Sequence, residues 1–456
     1  MFKTIQIENM NDQNNLKKHL LIFPAYETGA SELVSFFKSL ENMDLCHRLF
    51  IICPPEIFPL VPHQTQYCIT DDFLSIPALI TKITQWANQN HATFSGIMGV
   101  DEEEQFNISR QIASHFGLDF HELNTCSIAS NKFLLKTFFT KHNVPTGKFA
   151  LITDCDLPDE IDAIHSVGFP NVLKVLSGNG SAYLFKNENY NELREHFTFL
   201  KQEVSIIKDD SWFRKQQFST GTQSITLDPK SQFLLEEFIP GQEFSCDFIK
   251  FQDHVQVIRI VKKFKGPYLG LFSGYLLLNQ SDLEPNHIHL DDLTTVCKHI
   301  ANAFSLKEGV CMMDFKIHDR QLSVIESSIR PGLSAFNHLM YEIYGYTSLS
   351  LMARQKIGLP IHIRFPQENG AIIYLYGPHQ KGSLQVDTSR LEEAREQFGI
   401  DYIHIYQESG QSSIDPACDR STLLKGYVLL KNIDPDQMNN LPEIAKLINE
   451  KVNYRM

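Results

Sequence analysis

The chain has 456 residues, 43% hydrophobic and 21% charged, with a net charge of −13, which is room for two or three domains around a large core. That acidity argues against a general nucleic-acid binder, whose surface would be basic, while leaving room for a local basic pocket. Nine cysteines without a C-x-x-C pair read as reduced thiols in a cytoplasmic setting; the opening "MFKTIQIENMNDQNNLKKHL" lacks a signal-peptide core, and no run approaches the ~18 apolar residues of a membrane span.

Residues 1–125 alternate strand-like and helix-like segments. "LLIFPA", "LFIICPP" and "FSGIMGVD" are short apolar runs, while "IPALITKITQWANQ" and "QFNISRQIASHFGL" have helical periodicity, the latter ending at Gly117. This pattern predicts a parallel α/β sheet. A second region starts at "SIASNKFLLKTFFTKHNVPTG", whose Ser/Asn cluster marks a helix start and whose Pro145 marks its exit. Strand-like "KFALIT", "NVLKVLS" and "SAYLFK" follow, then a polar stretch at 201–230 that reads as helix and loop. "FLLEEFI", "EFSCDFIK", "VQVIRIVKKF" and "GYLLL" form a run of strands, and 291–307 a helix.

"MMDFKIHDRQLSVIESSIRPG" alternates with period two on both sides of a polar break and reads as a β-hairpin. A turn centred near Arg320 places residues whose numbers sum to 640 opposite each other, so Asp314 faces Glu326. Two facing carboxylates with Cβ atoms roughly 5 Å apart repel, so something positive belongs between them. Beyond the hairpin, "SLSLMARQKIGLP" is a helix ended by Gly358 and Pro360. From 366 to 456, "GAIIYLYGP", "IHIYQ" and "KGYVLLKN" are strand-like, with a last helix near 441–452.

Four features carry chemistry. Lys174 lies between apolar strand residues and just before the turn Gly178-Asn179-Gly180-Ser181. Such a turn can present backbone N–H groups to phosphates, or it can be a plain hairpin beside an edge-strand lysine. In "LLEEFIPGQEFSCD", Glu236 and Glu243 bracket a Pro-Gly turn; the backbone there can meet a flat heterocycle and Glu243 a ribose diol, or both acids can be solvated. Asp314, Glu326 and Ser328 make an oxygen-rich cation site suited to Mg²⁺, or the acids diverge into water and pair with Arg330. Lys132 alone is a surface helix lysine.

Taken together, the order Lys132, Lys174 with its Gly-rich loop, Glu236 to Glu243, Asp314, Glu326 and Arg330 resembles the ATP-grasp superfamily. "EEFIPGQE" resembles its adenine hinge, "D…IESSIRPG" its metal hairpin with the two acids twelve residues apart, and "NKFLLKTFFTKHNVPT" the helix leading into its lid. The resemblance runs from about residue 20 to 360 and more loosely beyond. It implies an α/β and α+β multidomain chain: an N-terminal parallel α/β domain at 1–125, an ATP-grasp core at 126–365 with a lid at about 147–235, and a C-terminal α+β subdomain at 366–456. It further implies that Lys132 and Lys174 hold the α/β phosphates of ATP and that the loop Gly178–Ser181, with Gly180, closes over the β/γ phosphates. Glu236 and the backbone of Glu237 and Ile239 would read adenine, with Glu243 on the ribose. Asp314, Glu326 and Ser328 would bind Mg²⁺ (or Mn²⁺), and Arg330 would lie beside the γ-phosphate and the reacting carboxylate. Lys263 in "VKKFKGP" would be a further contact to phosphate or substrate.

One position departs from the pattern: many members carry Asn two residues after the second acid, and here that place is Ser328, a shorter and weaker ligand. This keeps a non-catalytic ATP-binding member in view. "IESSIRPGLSAFNHL" is similar to the E-x-x-x-R-x-G form of L-amino-acid ligases, carnosine-synthase-like and biotin-carboxylase-like enzymes. D-alanine–D-alanine ligases carry their arginine before the first acid, where this chain has Met312. A biotin-acceptor motif and a carboxylase-type run of four glycines are absent. The resemblance implies an ATP-dependent ligase joining an amino acid or other carboxylate to an amine, with the "YLGLFSG" loop and the segment after Arg330 lining the amine pocket, and a biotin-carboxylase-like or other acyl-phosphate-forming enzyme as the alternative. Homodimers are common among such relatives. A zinc-hydrolase alternative rests on His287-x-His289 alone, with no third ligand at metal spacing.

Overall fold

The structure, a computed structural model, describes residues 18–23, 30–55, 57–63, 65, 67–70, 75–99, 103–154, 158–178, 182–207, 213–219, 224–266, 269–333, 335–365, 367–377, 385–386, 388–406, 423–451 and 454–455. Four parallel strands open it, β1 (Lys18–Phe23), β2 (Leu49–Cys53), β3 (Tyr67–Thr70) and β4 (Thr93–Gly99), ordered β3-β2-β1-β4. Helices α1 (Ala30–Asn42), α2 (Ile76–Asn90) and α3 (Glu103–Phe116) connect and cover them. β2 is buried at every position, as a parallel strand covered on both faces must be. The short strand β3 has too few residues to show a period, and the sequence pattern passes over it. Gly117, at φ +64°, ends α3 where expected.

After α4 (Leu123–Ala129) and α5 (Lys132–Lys141) comes a second, antiparallel sheet. It is made of β5 (Phe149–Ile152), β6 (Asn171–Val175), β7 (Leu184–Asn187) and β10 (Phe233–Glu237), in the order β5-β10-β6-β7. Helices α6 (Pro158–Val167) and α7 (Tyr190–Ile206) pack on it. The polar stretch that reads as helix and loop contains the end of α7 and also a ribbon of β8 (Gln216–Ser219) and β9 (Ser224–Leu227). Strand β6 is hydrogen-bonded on both sides, to β10 and β7. Lys174 therefore stands on an interior strand, and the edge-strand alternative falls.

The third sheet has eight antiparallel strands: β11 (Gln242–Phe251), β12 (His254–Lys265), β13 (Phe272–Leu277), β14 (Gly309–His318), β15 (Gln321–Ser328), β16 (Gly370–Tyr376), β18 (Tyr402–Ile405) and β19 (Leu424–Lys431). Their order is β15-β14-β11-β12-β13-β16-β19-β18. The remaining elements are α8 (Leu290–Ala303), α9 (Phe336–Tyr344), α10 (Ser348–Lys356), β17 (Gln385–Val386), α11 (Thr388–Phe398), α12 (Pro435–Lys451) and β20 (Tyr454–Arg455). α12 begins upstream of the helix expected near 441, with Pro442 inside it. The strands of the C-terminal segment continue the central sheet, since β13 pairs with β16 and β16 with β19.

Period-two alternation gives this sheet two different faces. Phe244, Cys246 and Phe248 of β11 and Cys311, Met313 and Phe315 of β14 pack with Leu293, Cys297 and Ile300 of α8 in the largest core. The opposite face carries Glu243, Ser245 and Asp247 on β11, Arg259 and Lys263 on β12, and Asp314 on β14, five of them at most 7% exposed. Burying so many polar groups is costly unless they are paired or serve a ligand. Among the described residues, Cys46, Cys53, Cys126, Cys246, Cys297 and Cys311 are free thiols and buried. No described helix is long and apolar enough to cross a membrane.

Candidate active site

The hairpin β14–β15 pairs Asp314 with Glu326 and Met312 with Ser328, as the 640 rule requires. From Phe315 the register slips by one residue, so that Phe315 faces Val324 and Ile325 is the extra residue of a β-bulge. The turn is Asp319-Arg320, both at positive φ, a two-residue hairpin turn of the primed type. The bulge lets Val324 stay in the core at 0% exposure while Glu326 two residues on lines a cavity.

That cavity, about 480 Å³, lies between the four-stranded antiparallel sheet and the polar face of the central sheet. Lys132, Lys174, Gly178, Glu236, Glu237, Ile239, Glu243, Lys263, Asp314, Glu326, Ser328 and Arg330 all line it. Gly180 and Ser181 lie outside the described residues.

One wall begins at α5. The Asn131 side chain accepts hydrogen bonds from the Phe133 and Leu134 N–H groups and caps the helix, and the Lys132 N–H donates to Leu176 O at 2.7 Å. This ties the helix start to the loop after β6. The Lys132 ammonium donates to Gly178 O at 2.5 Å. One turn on, Lys136 is buried, donating to Thr146 Oγ1 at 2.7 Å and Val324 O at 3.2 Å. Its Nζ is also 3.2 Å from Glu236 Oε1, and Lys174 meets the other Glu236 oxygen.

A single carboxylate thus sits between two buried ammonium groups. Burial raises the Glu236 pKa, but Lys136 and Lys174 more than offset it and hold the group below its ordinary value. Burial lowers Lys174, but Glu236 more than offsets that and its pKa ends raised. For Lys136 burial wins and the pKa is lowered. With all three ionised, the cluster holds one surplus positive charge, and an anion entering the cavity would balance it.

On the central sheet, Lys263 is 2.5 Å from Asp314 Oδ2 and 3.2 Å from Glu243 Oε1. Burial lowers its pKa, but Asp314 and Glu243 outweigh that and raise it. Asp314 Oδ1 and Ser328 Oγ are buried without a hydrogen-bond partner. Orphaned hard oxygens, with Glu326 opposite, fit a divalent cation of the Mg²⁺ type. Among the described residues no group of three His, Cys, Asp or Glu side chains is placed to hold a metal. Such a cation would rest on Asp314, Glu326 and Ser328 and complete its shell with ligand oxygens and water.

The hinge between the sheets is "EEFIPGQE". The Glu237 N–H donates to Lys148 O and its carboxylate accepts from Lys148 N, so its side chain is tied to the residue just before β5. Lys316 donates to Ile239 O at 2.9 Å and lies 3.8 Å from Glu243 Oε2. Gly241, at φ +99°, has no room for a side chain: a Cβ there would lie 2.2 Å from Ile317 O.

Behind the cavity sits a second ion cluster. Asp247 accepts from Arg259 Nε at 2.9 Å and Nη2 at 2.7 Å, from the Gly332 N–H at 2.9 Å and from Ser348 Oγ at 2.7 Å. It pins the turn after Arg330, whose own Nη1 donates to Pro331 O at 3.0 Å. A Cβ on Gly332 would lie 2.1 Å from Arg259 Nη2, so only glycine lets the turn approach the pair.

Residues 167–332 match the sequence profile of the ATP-grasp domain. The chain carries an ATP-grasp domain. Its fold is also similar to solved structures at low identity. An L-amino acid ligase from Bacillus licheniformis matches at TM-score 0.68 and 16% identity, over 96% of this chain and 99% of that one. An N5-carboxyaminoimidazole ribonucleotide synthetase in its ADP complex gives 0.63 and 14%, over 95% and 96%. A phosphoribosylglycinamide synthetase from Anaerococcus prevotii gives 0.60 and 14%, over 96% and 99%. No curated protein matches the chain in sequence.

The sequence pattern passes over Lys136, Lys316, Asp247 and Arg259. Lys136 had a signal, a cation one helical turn from Lys132 and flanked by Leu135 and the core residue Phe139. Asp247 and Arg259 follow the same alternation that singles out Asp314: Glu243, Ser245 and Asp247 share a strand face, as do Arg259 and Lys263.

Proposed function

We propose that this protein is an ATP-dependent carboxylate–amine ligase that works through an acyl phosphate and releases ADP and phosphate. The observation that supports it best is the surplus cation of Lys136, Glu236 and Lys174 in the same cavity as the orphaned oxygens of Asp314 and Ser328. A nucleoside triphosphate with a divalent cation answers both: phosphate balances the lysines, and the cation satisfies the acids. In this reading Lys132, Lys136 and Lys174 take the phosphates, with Gly178, Gly180 and Ser181 closing over them. The Glu237–Ile239 backbone meets adenine beside Glu236, and Glu243 meets the ribose. Mg²⁺, held by Asp314, Glu326 and Ser328, would supply neutralisation of phosphate charge.

Lys263 and Arg330 both line the cavity, and there they would orient the substrate carboxylate toward the γ-phosphate. Phosphoryl transfer depends mainly on positioning and charge neutralisation, which these fixed side chains would provide. The amine would then displace phosphate from the acyl phosphate, giving a dipeptide or other amide. Relatives named for this chemistry and for ribonucleotide synthesis share the fold.

The test is phosphate and ADP release with ATP, Mg²⁺ and pairs of amino acids, comparing wild type with Glu326→Ala. Release that needs both an acid and an amine, and falls by at least about a hundredfold in the variant, supports the ligase. ATP binding with no stimulated release by any acid–amine pair would leave a nucleotide-binding role instead.

A further inference from the structure

The polar face of the central sheet changes character in strand order. Glu326, Asp314 and Glu243 stand on β15, β14 and β11, Lys263 on β12, and then Tyr275 on β13 and Tyr374 on β16. The cavity follows this gradient. Its carboxylates Glu243 and Asp314 meet Lys263, whose ammonium lies 4.6 Å from the Phe272 ring, and Phe272 leads into an arm lined by Tyr275, Phe336, Tyr374, Tyr376 and Leu424, with Arg330 also on the wall of the cavity.

The rings in this arm hold one another in place. Tyr275 lies 4.7 Å from Phe336 and 5.2 Å, edge-on, from Tyr374, and Phe272 lies 5.7 Å from Tyr275. The Tyr376 hydroxyl donates to Phe272 O at 2.5 Å. Burial pushes the Tyr275 phenol to about 12 and raises Tyr374 and Tyr376 as well, so these walls are uncharged at neutral pH. Among the described lining residues of the arm there is no acid, and the cations are those at its mouth.

Resting on the ligase reading, we propose that this arm holds an uncharged apolar body, aromatic or branched aliphatic, of the acid whose carboxylate lies at Arg330 and Lys263. The two ends of such a molecule match the two ends of the arm: cations for the carboxylate, rings and aliphatic carbon for the rest. A sugar phosphate, as in the ribonucleotide enzymes of the same fold, would bring a second anion into a region whose described walls offer nothing to balance it. An aspartate or glutamate side chain would meet the same penalty. The described parts of "YLGLFSG" and of the stretch after Arg330, expected to line the amine pocket, are thereby assigned to the acid.

The test uses the full chain with Mg²⁺ and a non-hydrolysable ATP analogue, and reads binding of single acids by calorimetry. Nucleotide affinity is measured first on the same preparation. Phenylalanine and leucine are expected to bind at least about tenfold more tightly than glycine or aspartate. Leu424→Arg should weaken phenylalanine at least about tenfold, and Tyr376→Ala should narrow the gap between phenylalanine and glycine, both with nucleotide affinity within about twofold of wild type. Tight nucleotide binding with a preference for glycine, aspartate or a phosphorylated acid, or with no apolar acid bound, overturns the arm's assignment alone. Loss of nucleotide binding in the wild type overturns the ligase reading and the proposal with it.

Discussion

Glu236 and Glu32 are both almost fully buried, at 6% and 3% exposure, and they behave in opposite ways. Glu236 lies between Lys136 and Lys174 and is held ionised below its ordinary range. Glu32, on α1, lies near Arg259 and Asp247, where burial dominates and pushes it up to about 8. Arg259 favours its charged form, but Asp247 opposes it, because that pair is neutral as a whole. Burial depth therefore does not decide the charge of a carboxyl here; the net charge of its neighbours does. The Asp247–Arg259 cluster is balanced and its acid takes four hydrogen bonds, which suits a scaffold. The Lys136–Glu236–Lys174 cluster is unbalanced and opens on a cavity, which suits a ligand seat.

The contrast breaks most severely at the balanced cluster. Arg259→Met leaves Asp247 buried without its counterion and should cost about 3–5 kcal/mol in denaturant unfolding. Replacing both partners, as Asp247→Leu with Arg259→Met, should recover most of that stability. Phosphate release should stay low in the double variant, because the turn after Arg330 has lost its anchor. If the double variant is as unstable as the single one, the pair is not self-contained.

The seat should respond differently. Lys136→Met leaves Glu236 and Lys174 as a balanced pair, so stability should move by no more than about 1 kcal/mol. Nucleotide affinity should fall about ten- to a hundredfold, the range of one charge-assisted contact. Equal losses of stability and affinity would show that Lys136 is scaffold after all.

A pH dependence sharpens the comparison further. Glu32 has a folded value near 8 against an ordinary value of 4.5. Its raised value stabilises the fold fully below pH 4.5, and that stabilisation is lost as pH rises toward 8. Wild type should therefore weaken relative to Glu32→Gln across that window, at up to about 1.4 kcal/mol per pH unit. Parallel stability curves for the two proteins would place Glu32 in a more solvated setting.

Much of this was legible because strand alternation is a strong signal. Asp314 opposite Glu326 follows from period two and a turn position alone. The bulge at Ile325 was not legible, since one extra residue leaves no mark in composition. The alternation that exposes Asp314 also marks Asp247 and Arg259, but their partners are far away in sequence: Gly332 and Ser348 are 85 and 101 residues from Asp247. Lys136 was hidden by ordinary helix composition, in which lysine is common on solvated faces. Its role depends on Glu236, one hundred positions on in β10.

The unbroken hydrogen bonding from β13 through β16 to β19 bears on how the chain can be re-engineered. Tyr374, Tyr376 and Leu424 come from the C-terminal segment but line one cavity together with Phe272 and Tyr275. That segment is not a detachable cassette. A truncation before Gly370 would strip a wall from the arm and leave β13 as a raw sheet edge, open to pairing with other chains. Grafts meant to alter substrate choice therefore belong within β16 and β19, residue by residue, with the strand backbone left in place.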